Sequence, residues 1–214
     1  MTVTQDPRTL VRDAYERASH AYRGDEFDYA RSGYAYWLDR FMARLGAGAR
    51  VLDAGCGNGL PAARELARTC AVTGIDLSPV NVERARALVP AARFLCADMT
   101  TIAFAPGSFD AVVAFYSVIN VPLEDQPALI QRFADWLAPG GQLLVTVGQE
   151  AWTGIEIDWR GVQGLPMYYS HAHVTQYREW FDQAGLVVQE QGRIPLRGNP
   201  GYAMLVARKP LLDC

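Results

Sequence analysis

Apolar residues at helical spacing alternate along this chain with short continuous apolar runs, and that alternation predicts the elements. Leu10, Ala14, Ala18 and Tyr22 recur every fourth residue behind Asp6-Pro7, a cap and a first-turn proline, which predicts an opening helix. After the break at Gly24-Asp25-Glu26 a second helix is expected from about Phe27 to Leu45. Strands are expected near 50–53, 72–76, 92–97, 109–116 and 141–148, with helices near 61–69, 79–89 and 124–137 between them. This βαβα order implies a parallel sheet with right-handed crossovers. A further helix, 174–184, ends at Gly185. Two strand-like runs follow, Leu186–Ile194 and Tyr202–Arg208, and the turn-rich Pro195–Pro200 between them makes an antiparallel hairpin at the sheet edge. The fold class is therefore α/β, read as one domain over 1–214 with a helical preface at 1–48.

The most specific chemistry lies where the first strand empties into Asp53-Ala54-Gly55-Cys56-Gly57-Asn58-Gly59. Glycines there allow φ > 0 and let backbone approach a ligand without Cβ obstruction, so the loop reads as a nucleotide-type pocket. A dinucleotide fingerprint can be laid over Gly57, Gly59 and Ala62. That placement puts Pro61 in the first turn, where a pyrophosphate needs an N–H donor, and leaves Asp53 and Gly55 without a role. Read as D-x-G-x-G-x-G, every residue has one.

With three later elements in order, this loop resembles the class I S-adenosylmethionine-dependent methyltransferases over about residues 10–208. Gly74-Ile75-Asp76-Leu77-Ser78 resembles the end of a second strand whose acid reaches ribose hydroxyls, roughly 20 residues after the glycines. Phe94-Leu95-Cys96-Ala97-Asp98-Met99 resembles a third strand end, where the resemblance implies that Asp98 accepts from an adenine amino group and Met99 packs on the ring. Leu137-Ala138-Pro139-Gly140-Gly141 resembles the turn before the family's fifth strand. The resemblance implies a Rossmann-like seven-stranded, mostly parallel sheet with a C-terminal antiparallel hairpin and N-terminal lid helices. It implies S-adenosyl-L-methionine as cofactor and S-adenosyl-L-homocysteine as product. The cofactor set it implies is Tyr22, Asp53, Gly55, Cys56, Gly57, Asn58, Asp76, Leu77, Asp98, Met99 and Phe115, with Tyr22 matched to a tyrosine that reaches the cofactor carboxylate.

Composition narrows the partners. The 214 residues are 50% hydrophobic, and 20 basic residues nearly balance 23 acidic ones. No basic stripe of the kind needed for nucleic acid or an anionic membrane appears, and no apolar run approaches the ~20 residues of a membrane span. Met1–Leu10 has neither the basic nor the apolar region of a signal peptide, so a cytoplasmic protein is expected. Cys56, Cys70, Cys96 and Cys214 lack paired spacing and read as reduced thiols, small buried hydrophobes for the most part.

The acceptor side is read from two stretches. Tyr116, Ser117 and Asn120 follow the fourth strand, which in the family runs beside the methionine part of the cofactor; they equally suit a strand end and helix cap. The segment 149–173 is longer than a simple connection and rich in Trp152, Glu156, Asp158, Trp159, Tyr168, Tyr169, His171 and His173. Such an insertion covers an acceptor pocket in this fold, although its aromatics could instead form a satellite core. His171 is the first choice for a general base and His173 the second, with Tyr116 also assigned to catalysis; either histidine equally suits a capping role before the helix at 174. Substrate contacts are assigned to Tyr15, Asn120, Trp152, Glu156 and Tyr168, although Tyr15 and Tyr22 equally suit packing against the second helix. No metal site is expected, since His171 and His173 alone form too small a set. The expected activity is methyl transfer to an oxygen or nitrogen of a small molecule in specialised metabolism. The alternative is a rearrangement or cyclisation in which the sulfonium acts only electrostatically.

Overall fold

The computed structural model describes residues 5–196 and 199–211. Its sheet has seven strands in the order β3-β2-β1-β4-β5-β9-β8. The strands are β1 Arg50–Ala54, β2 Ala71–Asp76, β3 Arg93–Cys96, β4 Phe109–Ala114, β5 Leu137–Gly148, β8 Val187–Leu196 and β9 Asn199–Arg208. The first five pair in parallel; β9 runs antiparallel to β5, and β8 antiparallel to β9. This is the expected seven-stranded Rossmann-like architecture with its C-terminal hairpin, although Arg197 and Gly198 of the expected turn, like Cys214, lie outside the described residues.

The parallel strands read as apolar runs because both faces are covered. On one face α5 Gln126–Trp136 and α6 Val174–Gln183 bury Leu129, Ile130, Phe133, Tyr177 and Phe181. On the other, α2 Gly33–Met42, α3 Ala62–Leu66 and α4 Pro79–Leu88 bury Trp37, Leu38, Phe41, Leu66 and Val82. Chain order reverses on the two sides of β1, whose neighbours are β2 and β4. Ligand crevices of open α/β sheets form at such a switch point, beyond the carboxyl ends of the strands.

Two elements depart from expectation. The second helix begins at Gly33, not near Phe27, because the chain from Phe27 to Ser32 folds as a loop with Tyr29 accepting from Ser32 and the Phe27 ring edge-on to Tyr34. The insertion is not irregular: β6 Trp152–Glu156 pairs antiparallel with β7 Met167–His171 in a separate two-stranded sheet. Among the cysteines Cys56 is buried, but Cys96 ends the edge strand β3 and is exposed, so it is no core residue.

The opening helix, α1 Pro7–Tyr22, is capped as expected, with the Asp6 carboxylate accepting from Thr9 N–H at 3.3 Å. Its buried Leu10, Ala14 and Ala18 belong to the expected stripe, and Tyr15 and Tyr22 pack on Trp159. Val11, Ala14 and Ala18 pack with Trp159, Leu165 and Met167, a small core joining α1 to the insertion. The Trp159 ring stacks on Tyr22 at 5.4 Å, meets Tyr15 edge-on at 5.1 Å, and donates its N–H to the Tyr169 hydroxyl at 2.8 Å. Truncating a buried Trp leaves a large cavity. Trp159→Ala is expected to speed amide hydrogen exchange in residues 7–22 and 158–169 together while the central strands stay protected; unchanged exchange in 7–22 would show that α1 is held by other contacts.

Candidate functional site: a crevice and an adjoining chamber

The glycine loop is bent back against β2. Both Gly55 and Cys56 N–H donate to the Ile75 carbonyl, at 2.8 and 3.0 Å, and Gly57 N–H donates to Asp76 Oδ2 at 2.9 Å. Gly55 has φ +80, and a Cβ there would lie 2.2 Å from Ser117 Cβ, so only glycine fits between the β1 and β4 exits. Gly57 has φ +55, and a Cβ there would meet no protein atom within 4 Å, so this bend opens onto free space.

That space is a crevice lined by Gly55, Gly57, Asp76, Leu77, Asp98, Met99, Phe115 and Tyr116, together with Arg8, Tyr15 and Tyr22 of α1. The expected cofactor residues thus converge, apart from Asp53, Cys56 and Asn58 of the loop. Asp53 is buried behind the loop; Cys56 is buried, its thiol on the Gly57 carbonyl; Asn58 donates to the Gly24 carbonyl at 3.0 Å, tying the loop to the chain after α1. With α1 across its mouth the crevice measures about 80 Å³, well below the roughly 300–1,000 Å³ typical of ligand sites.

Three carboxylates stand at the sheet edge in different states. Asp76 Oδ1 also accepts from Ser78 N–H at 2.9 Å and Asn81 Nδ2 at 3.3 Å; burial pushes this carboxyl upward and these donors oppose the shift. Asp98 accepts from Thr100 N–H and hydroxyl, both at 2.7 Å, and its Oδ2 lies 3.2 Å from Arg8 Nε. Arg8 also meets Asp125 at 2.6 Å and so bridges two acids across the crevice. Asp53 is 2% exposed, and its Oδ2 has no hydrogen-bond partner among the described residues. Burial first, and the Asp76 charge second, raise Asp53 to about 7.

A second cavity of about 820 Å³ shares Tyr15, Tyr22, Tyr116 and Asn120 with the crevice. It is further lined by Arg23, Tyr34, Gln149, Trp152, Glu156, Arg160, Tyr169, His171 and Tyr202. Asn120 is a junction in the shared wall: its Nδ2 donates to the Tyr168 carbonyl at 2.8 Å and its Oδ1 accepts from the Tyr15 hydroxyl at 3.2 Å. Tyr116 has φ +54, an uncommon conformation for a bulky residue, and it holds the ring against Tyr34 and Tyr202. Gln126 Nε2 reaches the Val118, Val121 and Ser170 carbonyls and so fastens the β4 exit to β7.

The two histidines separate. His171 ends β7 in the chamber wall with Nδ1 2.7 Å from the Glu150 carbonyl. A carbonyl only accepts, so Nδ1 carries the proton and Nε2 keeps its lone pair. Burial lowers its pKa. His173 instead caps α6, accepting from Thr175 N–H at 3.3 Å, and lines neither cavity. Tyr168 also lies outside both, its side chain packed in the α1 cluster and its carbonyl bonded to Asn120. Trp152 and Glu156 line the chamber. Arg8, Tyr34, Gln149 and Tyr202 were not singled out from sequence; only the β-pairing and the position of α1 bring them in. No group of three or more His, Cys, Asp or Glu that could hold a metal occurs among the described residues. No helix there is long and apolar enough to cross a membrane.

Asp53 gives a pH test. Its carboxyl sits near pH 7 in the fold and near 3.9 in an unfolded chain. The folded state therefore holds a proton that the unfolded state has released, and stability falls as pH rises through that window. Asp53→Asn removes the fall, so denaturation of the ligand-free variant is expected to show a gain over the parent, growing to roughly 2–4 kcal/mol between about pH 4 and 7. A pH-independent difference would refute the buried-carboxyl account.

Residues 51–141 match the family described as "Methyltransferase domain". The chain is 30% identical over 231 residues to methyltransferase GfsG of Streptomyces halstedii, covering 94% of this chain and 82% of that one. It is 37% identical over 137 residues to 27-O-demethylrifamycin SV methyltransferase of Amycolatopsis mediterranei (strain S699), covering 60% of this chain and half of that one. Magnesium protoporphyrin IX methyltransferase of Synechocystis PCC 6803, solved with bound S-adenosylmethionine, superposes with TM-score 0.71 at 20% identity, over 98% of this chain and 100% of that one. A sheet of this topology, a glycine loop tied to an acid at the end of β2 and a relative matched over most of both lengths agree: the chain belongs to the class I S-adenosylmethionine-dependent methyltransferases.

Proposed function

We propose that this methyltransferase carries a methyl group to an oxygen or nitrogen of a small molecule of specialised metabolism, taking the acceptor from the large chamber. The observation that carries the reading is the shared wall: Tyr15, Tyr22, Tyr116 and Asn120 line both cavities, so a donor in one and an acceptor in the other would meet across them. Among the relatives, one is named for a demethylrifamycin and others for ubiquinone biosynthesis, in keeping with a small acceptor.

The residues present fit the cofactor. Gly57 leaves backbone open to it, Gly55 lines the crevice beside it, Asp76 Oδ2, which among the described residues accepts only from Gly57 N–H, can take a ribose hydroxyl, and Leu77, Met99 and Asp98 suit the adenine. Bound there, S-adenosylmethionine supplies an already activated methyl for in-line displacement. The protein's share is positioning, exclusion of water and removal of the acceptor's proton. On this reading residues 1–48 form a lid and 149–173 the cover of the chamber, within one domain. His171 takes the proton at Nε2, held in the right tautomer by the Glu150 carbonyl. Tyr116 and Asn120 orient the acceptor, Trp152 and Glu156 complete its surround, and His173 serves α6.

Titration calorimetry with S-adenosylmethionine and S-adenosylhomocysteine is expected to give saturable heats, and their absence removes the reading. Asp76→Ala should weaken S-adenosylhomocysteine binding roughly 5- to 150-fold, the range set by leaving a buried partner unpaired. With an acceptor in hand the product is heavier by one CH₂; a product of unchanged mass marks a rearrangement instead. His171 works only when neutral, and its pKa is lowered, so turnover should rise with pH along a limb whose midpoint lies below the usual histidine value of about 6.5. His171→Ala should lose that limb and most of kcat, and a retained limb would assign it to another group.

A further inference from the structure

Asp76 is held from behind by a chain of polar side chains that runs back to α1. Asn81 of α4 donates its Nδ2 to Asp76 Oδ1 at 3.3 Å, and its Oδ1 accepts from the hydroxyl of Ser19, in the last turn of α1, at 2.6 Å. Ser19 Oγ accepts in turn from Arg84 Nη1 at 2.5 Å. Arg84 lies three residues after Asn81 on the same helix face and also reaches the Arg23 carbonyl at 2.7 Å and Asp25 at 2.5 Å, just past the end of α1. Ser19 and Asn81 are each 3% exposed, so protein groups and not solvent complete these bonds.

The chain has a direction. A guanidinium only donates and a carboxylate only accepts, so the hydrogen bonds run from Arg84 through the Ser19 hydroxyl and the Asn81 amide to Asp76. Turning the amide over would set its oxygen against a carboxylate oxygen with no proton between them. Ser19 therefore holds the far end of the group whose near end holds Asp76, and a cation stands behind Ser19 to strengthen the bond it makes. Asp76 Oδ1 is fixed by Asn81 and the Ser78 N–H, and its other oxygen, Oδ2, meets Gly57 N–H at the crevice wall.

We propose that Ser19 and Asn81 are positioning residues for the cofactor: through them the docked last turn of α1 holds the Asp76 carboxylate in the orientation that presents Oδ2 to a ribose hydroxyl. This rests on the reading of Asp76 as the ribose acid. With α1 undocked, Asn81 Oδ1 loses its donor and the amide its anchor, so Asp76 is held less firmly and the cofactor binds less well. Such coupling is reciprocal: a bound cofactor tightens the hold on α1 by the factor by which the docked helix strengthens cofactor binding. Tyr15 and Tyr22 stand on that helix in the wall shared with the chamber, so filling the crevice also steadies the chamber.

The test is a double-mutant cycle read by calorimetric titration of the full chain with S-adenosylhomocysteine, using the parent, Ser19→Ala, Asp76→Ala and the double variant. Alanine is the better helix former, so Ser19→Ala leaves α1 helical while removing the hydroxyl. Ser19→Ala is expected to raise the dissociation constant roughly 2- to 10-fold, the range of one lost hydrogen bond, and to change nothing further once Asp76 is gone. No loss in the parent, or an equal loss in both backgrounds, overturns the proposal, since Ser19 would then act without Asp76. Asn81→Leu keeps the side chain's shape, breaks the chain from the α4 side and leaves α1 untouched; it should reproduce the loss and the dependence on Asp76, and a parent-like affinity overturns the proposal as well. Amide hydrogen exchange gives a second readout: saturating S-adenosylhomocysteine is expected to slow exchange over residues 15–25 more in the parent than in Asn81→Leu, and equal slowing overturns the coupling. Should Asp76→Ala bind too weakly to titrate, this exchange comparison decides. An Asp76→Ala variant that binds like the parent removes the ribose reading itself, whereas a weakened Asp76→Ala beside parent-like Ser19→Ala and Asn81→Leu removes the positioning role alone.

Discussion

The structure depends on a loop of glycines being held against the neighbouring strand by that strand's own end. Two successive amides converge on the Ile75 carbonyl and a third reaches the Asp76 carboxylate, so the first turn after β1 is fixed by β2 and not by its own helix. α3 is only five residues long and its N-terminal Pro61 donates nothing. The usual anchor, a long helix with free amides at its start, is thus weak here. Backbone donors spent on β2 leave Gly57 bent outward and Gly55 pressed on Ser117, and the crevice is the space that results. Asp76 belongs at once to the fold, through Gly57, Ser78 and Asn81, and to the site, through its place in the crevice wall.

How much of this could be read beforehand depended on the range of the interactions. The parallel sheet, its order of helices and strands and the closing hairpin were legible because their periods and flanking turns are local, and the converging Asp76, Leu77, Asp98, Met99 and Phe115 were legible through the family resemblance that the motifs at those strand ends carry. The start of α2 was not, since what stops the helix before Gly33 is the Phe27–Tyr34 contact, a matter of packing. The β6–β7 pairing was missed because the segment shows no period of two: Met167, Tyr168 and Tyr169 are consecutive in the chain and all three join the α1 cluster. Asn58 illustrates a different limit. Its residue type and place in the loop suggest a ligand contact, yet the side chain is spent on Gly24, 34 positions away.

The chamber is assembled from parts that share no local signal. Tyr15 and Tyr22 come from α1, Tyr116 and Asn120 from the β4 exit, His171 from β7 and Tyr202 from β9. What brings them together is a small set of cross-links: Trp159 between α1 and the insertion, Asn120 between α1 and β7, Gln126 between the β4 exit and β7. The assignment of the two histidines follows from the same connections. One of them ends a strand inside this assembly and the other begins a helix outside it, although only Ala172 separates them in the chain.

Arg8 carries a consequence of its own. A guanidinium shared between Asp98 and Asp125 makes the mouth of the crevice a contact between charges, whereas the rest of α1 is held by apolar packing and by hydrogen bonds of Tyr15 and Ser19. Exposed pairs of this kind are weak and yield to dissolved ions, whereas buried rings do not. The helix can therefore loosen at its first turn while its last turn stays pinned on Trp159, so that traffic through the crevice answers to ionic strength and the shape of the chamber does not.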